Sequence, residues 1–270
     1  MSEPATPLRI LVCVKRVPAP GARITLTADH SAIDTKNLGF TTSPHEECAV
    51  EEAIRLVDNH GGSATVLTLG PAESDEQLRY AISVGINKAV HVTNPALADG
   101  VDWDPQATAS ALADAIASIE ADDGAFDLIL FGNESADSGG FQVGVRVARK
   151  LGRAIVNGIK GIEIGVSGDG HATVTARRES TSGFEVYELA LPVVLGVKEG
   201  LNLPRYPTLP GRLRSKKAEV AVHTADPVLG GLVTENFDNA AELVVQTTML
   251  GNGEQAAPAI VDLIERLGLL

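Results

Sequence analysis

Aromatic side chains are scarce: they make up 4% of the 270 residues, with a single tryptophan. Ala, Val, Leu and Ile must supply the core, which favours a parallel α/β build over an aromatic-rich sandwich. Cysteine is scarce too. Cys13 and Cys48 form no CxxC motif and no Cys/His cluster, so no metal site is expected. Each lies among apolar residues, which predicts a reduced, buried thiol. No stretch approaches 18 apolar residues, so no membrane span is expected. MSEPATPLR, at residues 1–9, lacks the apolar centre of a signal peptide, and a soluble cytoplasmic chain is expected. Positive charge is in deficit. A net charge of −13 argues against nucleic acid as the main partner. The phosphate motif G-x-x-x-x-G-K-[ST] is also missing.

What is present is a chain long enough for one large α/β domain or two unequal ones, with 44% apolar residues. Its charge is uneven. Residues 205–217 carry five basic side chains and no acid, whereas 221–270 carry seven acids and Arg266. That asymmetry is compatible with two surfaces for different partners or with plain solvation.

LRILVCVKRV (8–17) is a nearly continuous apolar run, as in a strand buried on both faces. RITLT (23–27) offers a short strand. SPHE (43–46) starts a helix: Ser43 caps, Pro44 suits the first turn and Glu46 completes a capping box. Val50, Ala53, Ile54 and Val57 then form one apolar face, and Glu51 and Arg55 are an i,i+4 pair on another. GG at 61–62 stops the helix. Strands at 63–69, 88–92 and 126–131 alternate with helices at 73–85, 105–121 and 141–152, which predicts a doubly wound, mostly parallel sheet. After Gly152, segments 159–166, 172–179 and 184–190 alternate apolar with polar, predicting an added antiparallel section. LPVVLGV (191–197) reads as a further buried strand. The prolines and glycine of LNLPRYPTLPG (201–211) argue against helix or central strand there. Glycines at 230, 231, 251 and 253 break the tail, which closes in an amphipathic helix, APAIVDLIERLGLL.

GNESADSGGFQVG (132–144) links a strand to a helix. Free N–H groups and the helix dipole at such a turn favour an anion. Gly139 and Gly140 allow close approach of a phosphate, and Ser135 and Ser138 offer hydroxyls. Asp137 would repel a phosphate and suits a ribose hydroxyl or the loop amides better. G-x-G-x-x-G is absent here and after the first strand. SGG matches part of the pyrophosphatase loop of some ATP-using enzymes, but Phe141 and Gln142 stand where an acid and a serine belong. A structural turn and a nucleotide site both remain open on pattern alone. A ligand would sit outside the carboxyl ends of the strands.

Three stretches in this order and spacing resemble the β subunit of electron transfer flavoprotein: VCVKRVP with SPHEECAVEEAIRL behind it, GNESADSGGFQVG, and GLNLPRYPTLPG followed by RLRSKK. The resemblance covers nearly the whole chain. It implies an adenine-nucleotide-binding, HUP-like α/β domain over 1–224, with a recognition loop at 201–214. Residues 225–270 would be an arm packing on a larger α subunit. The heterodimer would carry one redox-active FAD, bound mostly by α, and an AMP held structurally in β. Electrons would pass from acyl-CoA dehydrogenase-type flavoenzymes of fatty acid β-oxidation to a quinone reductase. The chain itself would be an electron carrier with no catalytic residue.

By the same resemblance the AMP site would involve Cys13, Ser43, Pro44, His45, Glu46, Leu69, and the loop residues Gly132, Asp137, Ser138, Gly139, Gly140, Phe141, Gln142 and Val143. Leu209, with Arg205 and Tyr206, would grip the partner dehydrogenase, and Glu179 would face an arginine of α. The chain departs from the family at several places. Ser43 replaces an asparagine, and Leu203 a glutamate. His45 stands where an aromatic residue often approaches the flavin, as either a tuning group or a plain helix-start residue. Val143 replaces a threonine of AMP-binding members. QVG is closer to electron-bifurcating members, which hold a second FAD in β and use NADH. Those members have an acid where Gly139 stands and a proline where Val145 stands. A different class, an adenine-nucleotide-binding regulatory or ATP-cleaving protein, is the remaining alternative.

Overall fold

Short parallel strands with apolar side chains on both faces dictate the architecture. The computed structural model describes residues 7–94, 103–226, 231–240 and 247–270. The start of the 1–9 segment and Gly230 lie outside them. Strand β1 (Leu8–Cys13) sits at the centre of the sheet, between β4 (Gly62–Leu69) and β6 (Leu128–Gly132), parallel to both. Beyond β4 come β5 (Lys88–Thr93) and β11 (Val220–Thr224). Beyond β6 come β10 (Val193–Val197), β7 (Ile155–Val166), β8 (Ala172–Ser180) and β9 (Gly183–Ala190). β10 is parallel to both β6 and β7, while β7, β8 and β9 form the antiparallel section. A two-residue pair, β2 (Val17–Pro18) with β3 (Phe40–Thr41), makes a separate small sheet.

The sheet separates two cores. Ile10 and Val12 of β1 and Leu128 and Leu130 of β6 face α1 (Pro44–His60) and α2 (Asp75–Val84). Leu11, Cys13, Ile129 and Phe131 face the opposite layer, α3 (Pro105–Asp123) and α4 (Val143–Lys150). This period-two partition is why the strands read as continuous apolar runs. The capping box of α1 is present as expected: the Ser43 hydroxyl accepts from the Glu46 amide, and Glu46 accepts from the Ser43 amide. Gly61 closes the helix at φ 78°, a conformation that suits glycine.

Several expectations need correction. The strand read over 8–17 ends at Cys13. RITLT forms no strand, only an isolated bridge between Leu26 and Ile33. Arg55 pairs with Glu52 at 3.6 Å, not with Glu51, whose carboxylate goes to Arg205. The loop at 201–211 does enter a helix, α5 (Leu209–Lys217). Thr208 caps it by accepting from the Gly211 amide, and Pro210 falls in the first turn, where a missing N–H costs nothing. A Cβ at Gly211 would meet the Ser83 carbonyl at 2.1 Å, so the glycine permits close packing of α5 on α2. The tail ends in α6 (Ala257–Arg266), none of whose residues is fully buried among the described residues. No helix among the described residues is long and apolar enough to cross a membrane.

Candidate functional site

The chain runs from β1 outward to β4 and β5, then returns through α3 to β6 on the other side of β1. The carboxyl ends of β1 and β6 therefore diverge at a topological switch point, where doubly wound sheets bind ligands. A cavity of about 400 Å3 lies there. Cys13, Leu69 and Phe131, from the ends of β1, β4 and β6, line it, as does Leu112 of α3. The turn from Gly132 to Val145 forms its polar side.

That turn is fixed by its own charges. Lys15, two residues past β1, contacts Asp137 at 2.7 Å. Asp137 also accepts from the Ser135 hydroxyl at 2.5 Å and the Ser138 amide at 2.8 Å. Burial pushes the Asp137 carboxyl up, but Lys15 and these donors outweigh it and hold the group below the usual carboxylate range. Asp137 is thus engaged with loop amides and a lysine, which neutralises it beside the cavity. Gly139 (φ 57°) and Phe141 (φ 54°) are both left-handed, and Phe141 is 55% exposed. Gln142 precedes α4 without a side-chain cap, so the N–H groups of the first turn have no side-chain acceptor from it. Instead its side-chain Oε1 accepts from the Arg146 guanidinium at 3.0 Å.

The α1 N-terminus closes another wall. Glu46 lines the cavity, whereas the expected site residues Ser43, Pro44 and His45 do not. Glu46 accepts from the amides of Ser43 at 3.1 Å and Lys15 at 3.0 Å. Burial nevertheless pushes its carboxyl up to about 7. A Cβ on Gly132 would come within 2.8 Å of the Glu46 side chain, so the β6 exit must be glycine for this approach. His45 Nδ1 accepts from the Glu199 amide at 2.7 Å, and Nε2 faces Glu134 at 3.5 Å. Burial, and secondarily the charge of Glu46, push the Cys13 thiol far up, which leaves it neutral.

Of the expected site residues, Cys13, Glu46, Leu69, Gly132, Asp137, Ser138, Gly140, Phe141, Gln142 and Val143 converge on the cavity, while Gly139 shapes the turn beside it. Sequence reasoning missed Lys15, Arg16, Ser74 and Trp103, which also line it. Lys15 and Arg16 had one legible signal, two basic residues directly after the first strand. The donor set fits an adenine nucleotide. Among the described residues, three buried polar atoms of side chains lining the cavity, Arg16 Nε, Ser74 Oγ and Trp103 Nε1, make no hydrogen bond, and apolar side chains offer a slot for a flat base.

The second group of expected residues lies on the loop before α5. Leu203, Tyr206 and Leu209 are 90%, 89% and 72% exposed. Arg205 is turned inward. It holds Glu51 of α1 through Nε at 2.8 Å and Nη2 at 3.1 Å, and its amide donates to the same carboxylate. Asn202 donates to Glu52 at 2.9 Å and to the Cys48 carbonyl at 3.0 Å. Of the basic residues that follow, Arg214 is spent internally on the Ile82 carbonyl at the end of α2. Glu179, half exposed on β8, contacts Lys160 at 2.5 Å.

The sequence model of the electron transfer flavoprotein domain matches residues 32–228. The electron transfer flavoprotein subunit beta of Mycobacterium leprae is 34% identical over 245 residues, covering 88% of this chain and 87% of that protein. The protein of the same name from Thermoanaerobacterium thermosaccharolyticum is 31% identical over 220 residues, 81% of this chain and 79% of its own. Protein FixA of Azorhizobium caulinodans is 31% identical over 219 residues, 81% and 75% of the two chains. A cavity over the switch point, an inward-pinned loop with exposed apolar tips and this extended similarity lead to one conclusion: the chain belongs to the electron transfer flavoprotein β-subunit family.

Proposed function

We propose that this chain is the β subunit of a heterodimeric electron carrier that keeps an AMP in the cavity between β1 and β6. The reading is carried by the cavity itself. A glycine-rich turn and a helix start without a side-chain cap meet an apolar slot at the switch point. Its volume, about 400 Å3, lies toward the small end of the range of roughly 300–1,000 Å3 for ligand pockets, which suits a mononucleotide. The lysine nearest the turn, Lys15, is consumed by Asp137 and is a poor candidate for gripping a triphosphate. Phosphate would rest on the amides around Gly140 and the start of α4, and the nucleotide would brace the fold. The redox-active FAD would belong mainly to the α subunit.

In this reading the exposed Leu203, Tyr206 and Leu209 dock flavin dehydrogenases, and a quinone reductase accepts the electrons. Weak, transient electron-transfer contacts are small, which suits one apolar loop. The unburied apolar face of α6 packs on α. Co-expression with an electron transfer flavoprotein α subunit tests this directly. The denatured heterodimer is expected to release one FAD and one AMP. Two FAD and no AMP would instead assign the chain to the electron-bifurcating class.

A further inference from the structure

Ser74 is fully buried and Trp103 is 7% exposed, yet the Ser74 hydroxyl and the Trp103 indole N–H have no hydrogen-bond partner among the described residues. Arg16 Nε is likewise buried without one. Buried donors in folded proteins are nearly always paired. All three line the same cavity.

Their placement is not that of the phosphate end. Ser74 follows β4, which lies across β1 from the 132–142 turn, and Trp103 directly precedes α3, a helix that contacts β4 and β5. Arg16 follows β1, and its guanidinium stacks on Phe40 with 3.4 Å to the ring centroid. Burial lowers the Arg16 pKa, and the nearby Glu73 and Glu76 carboxylates act to raise it. Its charge is therefore partly offset by acids on the same side. On this wall the Arg16 charge is offset by Glu73 and Glu76, and the donors are flanked by Leu69, Leu112 and Phe131. An anion is better served at the other end by glycine amides and the α4 start. A flat, neutral ring with acceptor nitrogens matches this end.

We propose that Arg16, Ser74 and Trp103 form the base-recognition wall of the cavity, donating to ring-nitrogen acceptors of a purine nucleotide. This rests on the nucleotide reading above and names the residues that choose the base. A purine has acceptor nitrogens on more than one edge, so spaced donors can fix its orientation. The rule that a buried donor left unpaired is costly gives the wall its selectivity against bases lacking those acceptors.

The test uses the heterodimer after removal of its resident nucleotide, with calorimetric titration of AMP and its 1-, 3- and 7-deaza analogues. In the wild type, at least one analogue is expected to bind about five- to tenfold more weakly than AMP. Trp103→Phe and Ser74→Ala should each weaken AMP by a similar factor, and at least one analogue's deficit should vanish in the matching variant. Retained FAD reports that the heterodimer is intact, and Ser74→Ala, which removes one oxygen, serves if Trp103→Phe disturbs assembly. Equal weakening of AMP and every analogue, or no weakening at all, overturns the base-wall assignment while leaving AMP binding in place. Failure of the wild type to bind AMP overturns the nucleotide reading itself.

Discussion

Two of the regions that expose apolar side chains are held in opposite ways. The loop at 201–208 presents Leu203 and Tyr206 from a backbone fastened to α1, through Arg205 with Glu51 and Asn202 with Glu52. The tail presents Ile260, Leu263 and Ile264 on one face of α6, with Leu267 just past its end; Leu263 and Ile264 are half-buried, and no residue of the helix is fully buried among the described residues. Among its described residues, the ties to the body are few: Phe237 exchanges hydrogen bonds with His30, and the Leu232 amide donates to Asp104. A loop ordered in advance loses little entropy on docking and suits brief encounters. A helix whose apolar face is left largely open by the described residues suits a partner that stays.

The sharpest way to break this contrast is at the tail. Ile260→Asp combined with Leu267→Asp is expected to weaken assembly with α on the order of a thousandfold, about 4 kcal/mol. The melting temperature of the β chain should not move. Equal assembly in sedimentation or size-exclusion measurements would place the α6 face elsewhere.

The α1 helix that anchors the loop carries its own pH signature. The Glu46 carboxyl lies above its unfolded value of 4.5, at about 7. The folded state is therefore progressively penalised as pH rises from 4.5 to about 7, and carries the full penalty above that. Glu46→Gln removes the charge and keeps a capping-box side chain. Its stability relative to wild type should rise by up to about 3 kcal/mol between pH 4.5 and 8, read from denaturant midpoints. A pH-independent difference would contradict this origin.

Arg205→Ala leaves the Glu51 carboxylate buried without its guanidinium. After allowance for the partial exposure of Arg205, about 2 kcal/mol of destabilisation is expected. Hydrogen exchange should quicken at 201–208 first, and exchange confined to other segments would deny the staple. The smallest effect on stability belongs to Leu209→Ala, within about 0.5 kcal/mol because the side chain is exposed. It should nevertheless slow electron acceptance from a dehydrogenase about tenfold. Unchanged rates with several dehydrogenases would remove the anchor.

The parallel sheet was legible because its strands are buried on both faces and its helices carry caps and stops, as at Ser43 and Gly61. What was hidden depended on distant partners. Glu51 looked paired with Arg55, four residues away, because nothing local reveals Arg205 across 154 positions. The start of α5 was obscured because proline breaks a helix interior yet is tolerated in a first turn, and only the Thr208 cap separates the two cases. Ser74 and Trp103 carry no motif. They join the site only because the sheet order brings the ends of β4 and β5 toward that of β1.

The central claim, that the 132–142 turn cradles the phosphate of a kept nucleotide, has a direct test at Gly140. A Cβ there would find its nearest neighbour, Ser138 Oγ, at 4.0 Å, so the turn tolerates a side chain. Native mass spectrometry of the Gly140→Asp heterodimer should show FAD retained and AMP lost, because the new carboxylate would occupy and repel the phosphate position. A variant that keeps both nucleotides at wild-type stoichiometry would contradict the account.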